Sequence, residues 1–357
     1  MTDIYFRFIQ FSLGVYEGKE FLDGSALKNF DWYGFYGFAV KQTLVGVVFD
    51  GIQKLPKGVA PRLDLLMKWF GLSQKVRQRN GVLNGATVDL YNKVKAAGYP
   101  CCILKGQGNA VMYPNPSARI PGDVDVWVKA SREEIRSLAR SLVEKGKGSV
   151  DEESYNHIGL DLNGISVELH FTPGFMANFF YNRRLQEWLG RNIDVQCGNM
   201  SCLSGGDGMV AVPTLRFNVV YQLYHLYHHY FYEGVGLRQV IDYYYVVSRL
   251  DVGREDINSL QRELKRLGLW KFCRAMMYVL HAVMGLTEEK MVAPMDGKRG
   301  KMLLDDIMNG GNFGHYDKRH SWGRDSYDDR GFKHGALGHN LLRLHRDARL
   351  LRFYPSE

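Results

Sequence analysis

The sequence predicts an α+β protein: a small mixed sheet with helices on one side, flanked by N-terminal and C-terminal helical regions. Three observations carry that expectation. Between Cys101 and Phe171 the chain reads as strand, polar loop, strand, helix and hairpin, an order that suits a mixed sheet backed by helices. Two alternating runs, Ser154–Leu162 and Ile165–Phe171, are joined by Asn163-Gly164, the dipeptide favoured by a type I′ turn because both positions need φ > 0. On either side of this stretch the apolar residues recur at helical spacing. The expected division is a helical region over 1–80, a core over 81–200, and a C-terminal helical domain over 201–357 with a flexible loop at about 308–335.

The chain has 357 residues, 45% hydrophobic and 24% charged, enough to bury a sizeable core. Its net charge of +8 suits phosphate-bearing ligands. Five cysteines show neither CxxC nor zinc-finger spacing, which points to a reduced, cytoplasmic protein. No secretory leader is expected, because MTDIYFRFIQFSLG lacks a cationic start and a small-residue cleavage site. The apolar run Phe35–Ile52 is interrupted by Lys41, Gln42 and Asp50, so a buried helix is expected there and no membrane span.

Taken in order, residues 1–80 read as several helices, with Arg62–Gly71 amphipathic and continuing toward Arg79. Val82–Ala97 has helical spacing at Leu83, Val88, Tyr91 and Val94, and stops at Gly98-Tyr99-Pro100. Cys101–Leu104 is the first strand, its two cysteines pointing to opposite faces. The Lys105-Gly106 turn that follows can offer backbone N–H groups to a phosphate. Lys105 and Arg119 add positive charge at the same end. Gly122–Val128 alternates with period two, so Asp123 and Asp125 share one face while Val124, Val126 and Val128 face a core. Two carboxylates held side by side repel, and a divalent cation is the common reason for the arrangement. Hard oxygen ligands suit Mg²⁺, with Mn²⁺ as the alternative ion.

Ser131 and Glu134 form a capping-box pattern that opens a helix running to about Lys145. In the hairpin, a two-residue turn sets Leu162 opposite Ile165, Leu160 opposite Val167 and Ile158 opposite Leu169, an apolar face. The other face sets Asp161 opposite Ser166, Gly159 opposite Glu168 and His157 opposite His170. Beside the Asp123 strand in one sheet, Glu168 completes a triad of carboxylates, the number a two-metal site requires.

Phe175–Tyr181 is aromatic and reads either as a loop covering the sheet or as one that stacks on a base. Asn182–Asn192 reads as a short helix, Val210–Pro213 as a short strand, and Thr214 as the N-cap of a long helix. That helix carries His225, His228 and His229 at i, i+3 and i+4, on one face. They read as a metal site, as contacts to a nucleotide or acceptor, or as polar tips in an aromatic-rich core. Gly234-Val235-Gly236 opens the next helix, where Arg238 either touches a phosphate or pairs with Asp242 four residues on. Residues 255–286 give two helices broken at Gly268. His339–Phe353 is a basic amphipathic helix that either caps the bundle or lies on a membrane surface.

The segments Leu104-Lys105-Gly106, YPNPSARIPGDVDVWV (113–128) and NGISVELHF (163–171) resemble the nucleotidyltransferase superfamily that includes DNA polymerase β. Within it they are most similar to a bacterial, poorly characterised nucleotidyltransferase family with a KG…R…GDxDxxV…ELH pattern. The resemblance spans roughly residues 80–250, including the His-rich helix and Gly236-Leu237-Arg238-Gln239. The superfamily usually has Gly-Gly or Gly-Ser at the phosphate turn, where this chain has Gly106-Gln107. The resemblance implies a polymerase β-like core and Mg²⁺-dependent transfer of a nucleoside monophosphate from a nucleoside triphosphate, ATP by default, with release of pyrophosphate. It makes Asp123, Asp125 and Glu168 the metal-binding and catalytic residues, with Glu168 either completing a second metal site or drawing a proton. It gives Lys105, Gly106, Arg119, His170 and Arg238 to the nucleotide. The acceptor is open among a sugar, a small alcohol or amine, a protein side chain and an RNA end. The other readings are a non-catalytic nucleotide- or partner-binding module on the same fold, and a metal-dependent hydrolase built on the histidine helix.

Overall fold

The computed structural model describes residues 2–143, 148–203, 208–253, 255–312 and Tyr354. Four N-terminal helices come first: α1 (Thr2–Ser12), α2 (Lys19–Leu22), α3 (Trp32–Lys41) and α4 (Val45–Ile52). The run read as one helix over Phe35–Ile52 is α3 and α4, split where Thr43 takes φ 55°. Next comes α5 (Leu63–Ala96), a single helix of 34 residues, about 50 Å long at 1.5 Å per residue. Its first half packs with the N-terminal helices through Leu65 and Trp69, whose Nε1 donates to the Val45 carbonyl at 3.0 Å. Its second half packs Leu83, Leu90, Tyr91 and Val94 under the sheet. The boundary expected between residues 80 and 81 therefore falls inside a continuous helix. Glycines 71, 81 and 85 sit on its surface with open space around them, so the helix pattern survives them.

The central sheet is formed by β1 (Cys101–Leu104), then, after the short helix α6 (Gly106–Ala110), by β2 (Val124–Val128) and, after α7 (Arg132–Leu142), by β3 (Gly148–Glu153), β4 (His157–Leu162) and β5 (Ser166–His170). The strand order is β1-β2-β5-β4-β3, with β2 and β5 parallel and the other pairs antiparallel. The mixed sheet and its helical flanks bear out the expected fold class. The hairpin register is the one the turn dictates: His157 faces His170, Gly159 faces Glu168, and Leu160 faces Val167. Asn163 and Gly164 take φ 57° and 78°. The edge strand β3 was not expected. Its sequence GSVDEE is polar and its ladder is irregular between Val150 and Glu153, as suits an edge that must not recruit another chain.

One sheet face, including Ile103, Val124, Val126, Leu160 and Leu169, packs on α5 and α7. Ser131 caps α7 through the expected box with Glu134. Beyond the sheet lie α8 (Phe179–Gly198), a separate two-stranded ribbon of β6 (Met200–Cys202) and β7 (Met209–Ala211), α9 (Leu215–Tyr232), α10 (Leu237–Arg249), α11 (Ile257–Arg266), α12 (Trp270–Met284) and α13 (Gly297–Gly310). The boundary set between residues 200 and 201 falls inside β6. Phe179 and Phe180 are not in a loop over the sheet. They are exposed in the first turn of α8, whose amides Asn178 caps. The loop expected from 308 begins within α13, and its remainder, with the helix expected at 339–353, lies outside the described residues apart from 311–312. Among the described residues no helix is long and apolar enough to cross a membrane.

The opposite sheet face meets α9, where Trp127 stacks on Phe217 with ring centroids 5.8 Å apart. The N-terminal helices reach the same region. Gln42 is fully buried, accepts from the Leu237 amide that opens α10 at 2.9 Å and donates to the Ile307 carbonyl at 3.1 Å.

Candidate active site

A cleft of about 360 Å³ opens between the polar face of the sheet and helices α9 and α10. Its sheet wall is set by strand register. Asp125 and Glu168 are direct partners on the parallel strands β2 and β5, and His170 lies two residues beyond Glu168 on the same face. Asp123 immediately precedes β2 and is exposed at the mouth of the cleft. All three expected carboxylates therefore line one wall.

The turn after β1 is strained. Lys105 takes φ 47° and ψ −140°, and Gly106 takes φ 36°, a region side chains rarely adopt outside functional sites. A Cβ on Gly106 would stand 3.3 Å from the Asp123 carbonyl, so glycine lets this turn close against the first aspartate. The geometry places Lys105 Nζ 2.9 Å from Asp125 Oδ1. Gln107 turns away from the cleft and donates to Asn80 and Asn84 on α5. The residue after Gly106 is thus a brace between the turn and α5.

His170 Nε2 bridges Asp125 Oδ1 at 3.0 Å and Glu168 Oε2 at 3.2 Å. His157 Nε2 stands 3.7 Å from Glu168 Oε1. Burial alone would raise the Asp125 pKa, but Lys105 and His170 hold it well below the ordinary carboxylate value. Burial opposes charge on Lys105 and on His170, yet Asp125 and Glu168 raise both pKa values. Asp123 shifts upward, first because the cleft walls strip water from it and then because Asp125 and Glu168 repel it. Anionic oxygens are thus packed tightly enough that one lysine and one histidine already neutralise them in part.

Arg119 lines the cleft at the same end as Lys105, as expected, but its guanidinium is held within the protein. Its guanidinium is 5% exposed and clamps Asp242 through Nε at 2.8 Å and Nη2 at 2.7 Å. Tyr113 donates to the same carboxylate at 2.7 Å. Asp242 therefore pairs with Arg119 and not, as i, i+4 spacing suggested, with Arg238. Arg238 instead donates to the Ile120 carbonyl at 2.9 Å, and its buried Nε has no partner among the described residues. Burial, followed by repulsion from Arg119, lowers its pKa to about 10. It lines the cleft beside Asp123 and Gly122.

The three histidines of α9 form the wall facing the carboxylates. His225 and His229 share an Nε2–Nε2 contact of 2.9 Å, His229 Nδ1 meets Glu233 Oε2 at 2.7 Å, and His228 Nε2 lies 3.4 Å from the Tyr155 hydroxyl. They do not converge as a triad of ligands. Among the described residues, the set whose donor atoms converge is His157, Glu168 and His170. Sequence reasoning missed Asn109, whose Oδ1 accepts from Gln222 Nε2 at 2.7 Å inside the cleft. No motif marks this pair, which α6 and α9 bring together only in three dimensions.

The histidine wall makes a pH prediction. Burial lowers the pKa of His225 well below its ordinary value and that of His228 to about 4. His228 also feels His229 and Lys105, which lower it further, and Glu233, which opposes them. Between pH 6.5 and about 4 the unfolded chain takes up protons that the folded chain refuses, so stability falls as pH falls through that window. His170, with its raised pKa, acts in the opposite direction, adding stability as pH falls toward 6.5, so the loss is read below that pH. Denaturant unfolding at pH 7, 6, 5 and 4.5 should show this loss, reduced in His228→Gln. A flat profile below pH 6.5 would contradict neutral, desolvated His225 and His228.

No curated protein matches the chain. A family described as uncharacterised nucleotidyltransferase matches residues 28–285, from the end of the first helices through α12. The match holds every cleft residue and begins well before residue 80, in keeping with the N-terminal helices that brace α5 and α10. With its strained Lys105-Gly106 turn and the carboxylates of β2 and β5 inside that span, the chain belongs to the uncharacterised nucleotidyltransferase family.

Proposed function

We propose that the protein moves a nucleoside monophosphate from a nucleoside triphosphate to an acceptor hydroxyl or amine and releases pyrophosphate, using a divalent cation, on a polymerase β-like core. The observation that carries this reading is the register of β2 on β5, which sets Asp125 beside Glu168 and next to the Lys105-Gly106 turn. The donor set fits a hard cation. Asp123, Asp125 and Glu168 offer oxygen ligands on one wall, and burial with mutual repulsion raises the pKa of Asp123. Asp123 and Asp125 would hold Mg²⁺ or Mn²⁺ on the triphosphate. When bound, the ion supplies charge stabilisation to the attacking and leaving oxygens.

The remaining work falls to the chain's own groups. Lys105 and the Gly106 turn seat the phosphates, and Arg238, which lines the cleft near Gly122, adds positive charge toward a phosphate oxygen. The acceptor enters against the wall of His225, His228 and Tyr155, where neutral imidazoles accept hydrogen bonds from a hydroxyl or amine. Its oxygen or nitrogen bonds to the α-phosphorus as the bond to the β-phosphate oxygen breaks, and its proton passes to Glu168. Held in line by the two walls, the groups need little further ordering. A cytoplasmic location fits a triphosphate substrate and unpaired cysteines.

Calorimetric titration of each nucleoside triphosphate with Mg²⁺ tests the reading. Wild type should bind one of them, and the Asp123→Ala/Asp125→Ala variant should bind it about 100-fold or more weakly, a loss of roughly 3 kcal/mol. A folded wild type that binds none of the four in the presence of Mg²⁺ would count against it.

A further inference from the structure

We propose that His157 and His170 are metal ligands alongside Glu168, and that this mixed nitrogen–oxygen site takes Co²⁺ or Zn²⁺, and Mn²⁺ after them, in preference to Mg²⁺. The inference relies on the nucleotidyl-transfer reading only in placing the ion where the transfer occurs.

Convergence of donors is the first observation. One donor atom from each of His157, Glu168 and His170 lies within 4.8 Å of the others. His157 Nε2 is 3.7 Å from Glu168 Oε1, and His170 Nε2 is 3.2 Å from Glu168 Oε2. Ligands bound at roughly 2.0–2.2 Å around one ion stand about 3–3.6 Å apart. Small side-chain rotations, with release of the Nε2 proton that His170 shares with Asp125 and Glu168, therefore bring the three into a coordination shell. Asp125 Oδ1, 3.0 Å from His170 Nε2, offers a fourth donor.

The second observation is the state of His157. Its Nδ1 lies 3.0 Å from Asn156 Oδ1, which also accepts from Ser154 Oγ at 3.2 Å. The acceptor oxygen puts the ring proton on Nδ1 and leaves a lone pair on Nε2. That lone pair faces a carboxylate oxygen, and two electron-rich atoms aimed at each other call for a cation between them. An outer oxygen that fixes the imidazole tautomer and leaves Nε2 to the metal is the arrangement found around metal-binding histidines. Imidazole nitrogen favours Co²⁺ and Zn²⁺, whereas Mg²⁺ prefers oxygen and retains its waters. Asp123 and the other carboxylate oxygen of Asp125 remain an oxygen-only set, so the two ion positions of this cleft share Asp125 and differ in chemistry.

Titrations with MgCl₂, MnCl₂, CoCl₂ and ZnCl₂ and no nucleotide would test this, on wild type, Asn156→Ala and His157→Ala, with circular dichroism as the check on folding. Asn156→Ala should weaken Co²⁺ and Zn²⁺ by about 10–100-fold, the usual effect of losing an outer-shell partner. His157→Ala should lose at least as much, while Mg²⁺ affinity moves less than about twofold. Pulsed electron paramagnetic resonance of the Mn²⁺ form should show nitrogen coupling from imidazole, diminished in His157→Ala. The proposal is overturned if His157→Ala leaves Co²⁺ affinity unchanged, if Mg²⁺ and Co²⁺ lose affinity equally, or if the Mn²⁺ form shows no nitrogen coupling. Because nucleotide is absent, such a result would leave Mg²⁺-dependent triphosphate binding standing, and failure of triphosphate binding would leave the metal preference standing.

Discussion

Asp123→Asn should reduce turnover by about 10²–10⁴, the equivalent of roughly 3–5 kcal/mol of lost transition-state stabilisation, while leaving the unfolding free energy within about 0.5 kcal/mol of wild type. The separation follows from position. Asp123 stands at the mouth of the cleft, exposed, and its pKa is raised by its surroundings. Neutralising it relieves repulsion with Asp125 and Glu168 and breaks no buried pair. Asp125→Asn should lose as much turnover and also destabilise the protein by about 3 kcal/mol, because a buried cation loses its partner. Lys105 Nζ and His170 Nε2 both rest on Asp125 Oδ1, and Asp125 is 7% exposed. Transfer of label from an α-labelled triphosphate and denaturant unfolding would be measured on both variants. Full turnover in Asp123→Asn would end the catalytic assignment. Equal stability of the two variants would show that Asp125 does not carry the lysine.

The contrast between these aspartates marks what the sequence made legible. Their shared face followed from strand period, and Glu168 followed from the Asn163-Gly164 turn, because a two-residue turn leaves one register. Period-two alternation is local information, and it was enough to find three carboxylates. It could not reveal that β5 lies beside β2 in parallel, which is a tertiary pairing. Nor could it show that residue 80 sits mid-helix. Asn80 is 2% exposed and donates to the Ser117 and Arg119 carbonyls at 3.0 and 2.8 Å. A polar residue at a presumed boundary is in fact the pin that holds the site loop to α5. On α4, Asp50 accepts from Asn115 of the same loop at 2.7 Å. The N-terminal helices are part of the site's support, and no composition shift announces that. Arg119 and Arg238 show the same limit: both were legible as cations, but which one Asp242 would take depended on how α10 crosses the loop.

That pairing carries the second large effect. Asp242→Ala should destabilise the protein by about 3–5 kcal/mol, the range for removing one partner of a buried ion pair. The variant strands the Arg119 guanidinium, 5% exposed, and removes the acceptor of the Tyr113 hydroxyl. Replacing all three polar groups at once, in Tyr113→Phe/Arg119→Met/Asp242→Leu, should recover at least half of that loss, since well-packed apolar substitutes for a buried pair are often neutral. The comparison also decides what Arg119 does. If the arginine serves the nucleotide directly, the triple variant will bind triphosphate far more weakly however stable it is. The bidentate clamp on Asp242 argues otherwise: both arms of the guanidinium are committed, and they fasten the loop before Asp123 to α10. Triphosphate affinity of the triple variant, measured well below its unfolding midpoint, should then stay within about threefold of wild type, under 1 kcal/mol. A loss of 100-fold at full stability would return Arg119 to the nucleotide site and leave Asp242 as the group that aims it.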